Sequence, residues 1–158
     1  MVSADDIKKF QLFSGIDDSK LAIIAEFCYS RTLKDGTTCF SQGNKSSELH
    51  LLRKGKIDVI MRIHEPWGMD VKVHIVKPGE VFGWSAIVEP YIYTASGKCV
   101  GNVEEIYLKG SDLEKLFKKD PVMGYTIMRN VSALISSRLT ESREKLAKEI
   151  ASALNKEW

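Results

Sequence analysis

Apolar positions recur along this chain in three rhythms, and each predicts a different kind of element. Between residues 3 and 28 they fall three and four apart. Leu21, Ile24, Ala25 and Cys28 share one helix face there. Ser3 or Asp5 can cap a first short helix and Asp17 or Asp18 a second. From Tyr29 to Leu108 the apolar residues come instead in short runs. Turn signals break them at Lys34-Asp-Gly36, Gln42-Gly-Asn44, Lys54-Gly-Lys56, Glu65-Pro-Trp-Gly68 and Lys77-Pro-Gly79. A turn roughly every ten residues predicts a mainly β architecture, an antiparallel double-sheet jelly roll. Leu49-His-Leu-Leu52 and Ile57-Asp-Val-Ile-Met61 are expected to pair as a hairpin around Gly55, and Val71 to Val76 alternates like a half-exposed strand.

The third rhythm follows Leu108. Ser111-Asp-Leu-Glu114 reads as a capping box opening a short helix that ends near Asp120-Pro121. Proline is favoured at a helix's first position, so a second helix can begin at once. It is expected to run to near Trp158, roughly 57 Å at about 1.5 Å per residue. Its stripe is Ile127, Val131, Leu134, Ile135, Leu139, Leu146, Ile150 and Leu154. A small domain cannot cover so long a helix. The expectation is a homodimer whose seam includes Ile135, Leu139, Leu146 and Ile150. Charges such as Glu141, Arg143, Glu144 and Lys145 read as a solvated face.

The chain has 158 residues, 23 basic and 21 acidic. One domain of residues 1–158 is expected, with the roll at about 29–108 and the last helices at about 111–157. The near-neutral balance argues against nucleic acid or an acidic membrane as main partner. Cys28, Cys39 and Cys99 are widely spaced and form no CxxC pair, which points to a reducing, cytoplasmic setting. The N-terminus lacks an apolar signal segment, and no apolar run is long enough to span a bilayer. His50, His64 and His74 form no His-x-His pair, and no GxSxG or Walker loop is present. No catalytic residue, metal ligand or obligate cofactor is therefore expected.

One stretch carries candidate chemistry: Lys77-Pro-Gly-Glu-Val-Phe-Gly-Trp-Ser-Ala-Ile87, running on to Tyr93-Thr-Ala-Ser96. It reads as a strand, a glycine turn and a short helical turn opening on Gly83. Backbone N–H groups at such an opening are unpaired and suit an anion. The stretch resembles the phosphate-binding cassette of cyclic-nucleotide-binding domains. Further likeness lies in Leu12-Phe-Ser-Gly-Ile16, in Gly36-Thr-Thr-Cys-Phe-Ser-Gln-Gly43 and in Leu49-His-Leu-Leu-Arg-Lys-Gly55.

The resemblance implies a β-roll with N-terminal helices and a long C-terminal helix, and a ligand site at Gly79, Glu80, Phe82, Gly83, Trp84, Ser85, Ala86, Tyr93, Thr94 and Ala95. The family's ribose-binding Glu falls on Trp84 and its phosphate-binding Arg on Tyr93. Losing such buried contacts costs on the order of 2–5 kcal/mol each, so ordinary nucleotide affinity should be weak. Thr94 and the N–H groups of Gly83, Trp84 and Ser85 remain for an anion. Lys72, Lys77 or Lys98 could bring a cation. Catabolite-activator-type relatives carry a helix-turn-helix after the long helix. The chain stops at Trp158 without one, so direct DNA binding is not expected.

The reading is a stand-alone sensor or regulatory adaptor with a possible regulated protein partner and a weak or altered nucleotide or small-anion ligand. Two others remain open at this point: a cupin-like jelly-roll enzyme, and an interaction domain whose pocket is filled by its own aromatics.

Overall fold

A computed structural model describes residues 1–156; residues 157 and 158, at the expected end of the long helix, lie outside the described residues. The chain opens with α1 (Ala4–Lys8), a 3-10 turn (Gln11–Phe13) and α2 (Asp18–Ala25). Ser3 caps α1 in a reciprocal capping box with Asp6, and the Asp17 carboxylate accepts from the Lys20 N–H to cap α2. Cys28 lies past α2, as the first residue of a strand. Its thiol still reaches back to the Ile24 carbonyl at 3.4 Å.

Six antiparallel strands follow: β1 (Cys28–Leu33), β2 (Thr38–Phe40), β3 (Glu48–Ile63), β4 (Met69–Val76), β5 (Val81–Phe82) and β6 (Ser96–Lys109). The hydrogen-bonded order is β1-β6-β3-β4, with β2 joined to β6 and β5 to β3. The expected hairpin around Gly55 is not formed. β3 runs straight through it, pairing with β6 from Glu48↔Lys109 to Ile60↔Ser96. The register slips on either side of Lys54, and Gly55 and Gly101 both take positive φ. Such a bulge kinks and twists a strand without reversing it. It also needs glycine: a Cβ on Gly55 would stand 2.5 Å from the Asn102 carbonyl oxygen. The bends let two long strands wrap into a β-roll.

Alternation along the strands feeds two apolar cores. Leu49, Leu51, Val81, Ile106 and Leu108 face the helices, packing on Ile7, Phe13, Leu21 and Ile24. Leu52, Ile57, Val76, Phe82, Cys99 and Val103 fill the inside of the roll. The thiols belong to this packing: burial pushes Cys28 and Cys39 each up to about 12, so they stay protonated.

Beyond β6 come α3 (Gly110–Lys119) and α4 (Pro121–Asn155). The capping box expected at Ser111 and Glu114 is not made. The helix begins two residues earlier, with Lys109 at the cap position and no side-chain cap bond. Gly110 sets that start. Its N–H donates to the Ser47 carbonyl at 2.9 Å, and a side chain on it would overlap the Ala86 carbonyl oxygen. Asp120 then caps α4 through the Met123 N–H at 2.9 Å, with Pro121 in the first turn. Met123, Ile127 and Val131 bury the first half of α4, and Asn130 donates to the Leu12 and Ser14 carbonyls at 2.9 Å. From Leu139 through Lys156 every residue is exposed.

Candidate functional site

The candidate site forms where β5 leaves the roll. After Phe82 the backbone turns left-handed at Gly83 (φ 72°) and closes a 3-10 turn over Trp84–Ala86. Glycine is required there on two counts. The conformation disfavours other residues, and a Cβ would stand 2.6 Å from His50 Cδ2 and 3.0 Å from the Glu48 carbonyl. Beneath it lies a buried polar base. His50 stacks on Phe82 with ring centroids 4.7 Å apart. Its Nδ1 sits 3.3 Å from Glu105, which also takes the Arg31 Nε–H at 2.6 Å; Arg31 reaches Glu48 at 2.9 Å. Burial pushes the Glu105 carboxyl up, but the His50 contact and the Arg31 charge outweigh it, so it lies below its ordinary value. His50 Nε2 and Glu105 Oε2 remain without partners.

A cavity of about 180 Å³ opens beside this turn. Of the sequence-derived residues, Phe82, Gly83, Trp84, Ser85, Tyr93, Thr94 and Ala95 line it. Phe40, Val59 and Val76 add an apolar floor. Tyr93 is buried, stacks on Phe40 at 4.6 Å, and its hydroxyl donates to the Glu48 carbonyl at 3.5 Å. Burial raises its phenol above the usual value. Trp84 is half-buried between this cavity and Leu134 of α4, against the edge of the helical core.

Three of the expected residues stand elsewhere. Ala86 is buried on the far side of the turn, against Gly110. Gly79 and Glu80 lie on the outer side, in a recess with Gln11, Trp84 and Glu141. The Glu80 carboxylate accepts the Lys77 N–H at 2.9 Å and sits 3.3 Å from His74 Nε2. His74 also lines the cavity. Of the lysines considered as cation donors, Lys72 pairs with Asp58 at 2.7 Å, and none of the three lines the cavity.

The cation comes instead from α4. Arg138 lines the cavity with its guanidinium 5.7 Å from the Trp84 ring centroid. Its contacts to Glu80 and Glu141 are both long, 4.0 Å. The sequence held a signal for it. Arg138 continues the three- and four-residue spacing of Val131, Leu134 and Ile135, so it stands on the packed face. The buried Arg31–Glu105–His50 cluster had a weaker signal, because its members come from three strands whose pairing the sequence does not declare.

A β-roll with a glycine-opened turn, closed over by a long helix, defines a sensor-type domain. The family model described as "Cyclic nucleotide-binding domain" matches residues 30–120. The chain belongs to that family. It is 26% identical over 136 residues to the cyclic AMP receptor protein of Thermus thermophilus and 22% identical over 136 residues to a CRP-like cAMP-activated global transcriptional regulator of Mycobacterium tuberculosis. Each alignment takes in 86% of this chain, which spans 60% and 58% of the length of those two proteins. Among solved structures, the catabolite activator protein of Thermus thermophilus is similar at 25% identity and TM-score 0.71, over 87% of this chain and 62% of that one. A cyclic nucleotide-binding domain from Methylobacillus flagellatus shares the fold at TM-score 0.83 and 15% identity, over 94% of this chain and 86% of its own. Among the described residues no helix is long and apolar enough to cross a membrane. Family and fold support a ligand-sensing regulatory module.

Proposed function

We propose that this chain is a regulatory binding module, not an enzyme, whose cassette has an altered ligand preference and binds cyclic nucleotides weakly. The observation that carries the reading is the pair Trp84 and Tyr93. Where the family places a ribose-binding carboxylate and a phosphate-binding guanidinium, this chain has an indole and a phenol. Tyr93 is packed on Phe40 and holds no charge to offer a phosphate. The open volume beside these rings supports a retained pocket over one filled by its own aromatics. The module acts as a homodimer through the exposed half of α4. Its output is the position of that helix, read by a regulated protein partner.

Calorimetry with cyclic AMP and cyclic GMP tests the altered site. Both are expected to bind no tighter than about micromolar, since two charged contacts are gone. The double substitution Trp84→Glu with Tyr93→Arg is expected to tighten at least one of them. Nanomolar binding by the unmodified chain would show that the cassette is not altered in the way proposed.

A further inference from the structure

The electrostatics of the cavity name a ligand class. We propose that it takes a small aromatic carboxylic acid, with one ring against the apolar floor and its carboxylate on Arg138. This rests on the ligand-sensing reading above and specifies what is sensed.

Size comes first. An apolar cavity of about 150 Å³ holds a benzene ring, whereas pockets for larger ligands run to about 300–1,000 Å³. At about 180 Å³ this cavity fits one ring and a short tether. Its floor agrees with that, because Phe40, Val59, Val76 and Phe82 offer no partner to sugar hydroxyls, and the polar side chains Ser85, Thr94 and Arg138 stand elsewhere on the lining. Burying a hydroxyl without a partner is costly.

The charge follows. Arg138 is the one arginine or lysine among the described residues that line the cavity. Neither Glu80 nor Glu141 lines it; both stand in an adjoining recess with Lys72, Lys77 and Lys145, which Arg138 borders as well. At 4.0 Å each, they leave the guanidinium without a close partner. A ligand carboxylate can take it as a two-pronged pair at about 2.7–2.9 Å, a far stronger contact. Ser85 and Thr94 stand at the same cavity with hydroxyl donors. Arg138 is also the last half-buried residue of α4 before the exposed stretch, so capture of the acid acts directly on the helix that leaves the domain.

The test is calorimetry with 3-phenylpropionate, its neutral amide 3-phenylpropionamide, and cyclic AMP. The acid is expected to bind at least tenfold tighter than the amide. Arg138→Gln should erase that difference by weakening the acid alone, and Arg138→Lys should retain part of it. Unchanged thermal melts would establish that both variants fold. Equal binding of acid and amide, or acid binding untouched by Arg138→Gln, overturns the proposal. Absence of acid binding beside measurable cyclic AMP binding overturns it too, while leaving the sensing reading in place. Silence of all three compounds overturns the proposal and removes support from that reading as well.

Discussion

His74 shows how a single residue ties the site to solvent conditions. Burial holds its imidazole below the ordinary value, the Arg138 charge lowers it further, and Glu80 and Glu141 pull the other way while Lys145 adds to the lowering. The unfolded chain therefore binds this proton more readily than the folded one. The resulting stability is fully present above about pH 6.5 and is lost as pH falls from there through the folded value. The urea midpoint is expected to drop between about pH 7.5 and pH 5.5, and His74→Gln should flatten part of that drop. An identical slope in the variant would assign the pH dependence to other groups. Legibility at this scale was uneven. Gly83 could be read because a left-handed turn leaves a sequence trace. Arg138 is hard to read because a charge that close to the charged stretch from Glu141 onward looks solvated. Only its spacing from Val131 and Leu134, which presupposes that the packed face extends that far, says otherwise.

Elements were legible wherever one local rule decides them. Asp17, Asp120 and Pro121 start helices as their chemistry dictates. Local rules failed where tertiary packing chose between two allowed outcomes. A glycine between lysines suits both a hairpin and a bulge, and the partner strand β6 selects the bulge at Gly55. Ser111 and Glu114 satisfy the spacing of a capping box, yet the contact of Gly110 with Ala86 starts α3 two residues sooner. The two caps thus make opposite predictions. Ser111→Ala should change stability by no more than about 0.5 kcal/mol, the range of an ordinary surface substitution. Asp120→Ala should cost about 1 kcal/mol or more, because it removes a true cap. Chemical denaturation of the two variants compares them directly. A loss at Ser111 equal to that at Asp120 would restore the capping box.

For the whole molecule the unresolved demand is the far half of α4. Leu139, Leu146, Ile150 and Leu154 are between 48% and 60% exposed, whereas Ile135 packs on the core of its own chain. The seam is therefore expected to begin at Leu139, one turn later than the stripe alone suggests. Leu146→Asp would set a charge in it and shift the chain towards monomer in sedimentation at micromolar concentration. An unmodified chain that sediments as a monomer under the same conditions would remove the dimer from the proposal.

The meeting of Ala86 with Gly110 has a mechanical consequence. Two backbones touch there with no side chain between them. Such a contact transmits thrust but not tension. If the 3-10 turn is drawn toward α3, that helix is driven ahead of it. If the turn relaxes away, nothing at this point pulls the helix back, and the return stroke falls to the Gly110 N–H bond with Ser47 and to the packing of α4. The contact therefore acts as a stop, and Gly110→Ala should force the 3-10 turn and α3 apart.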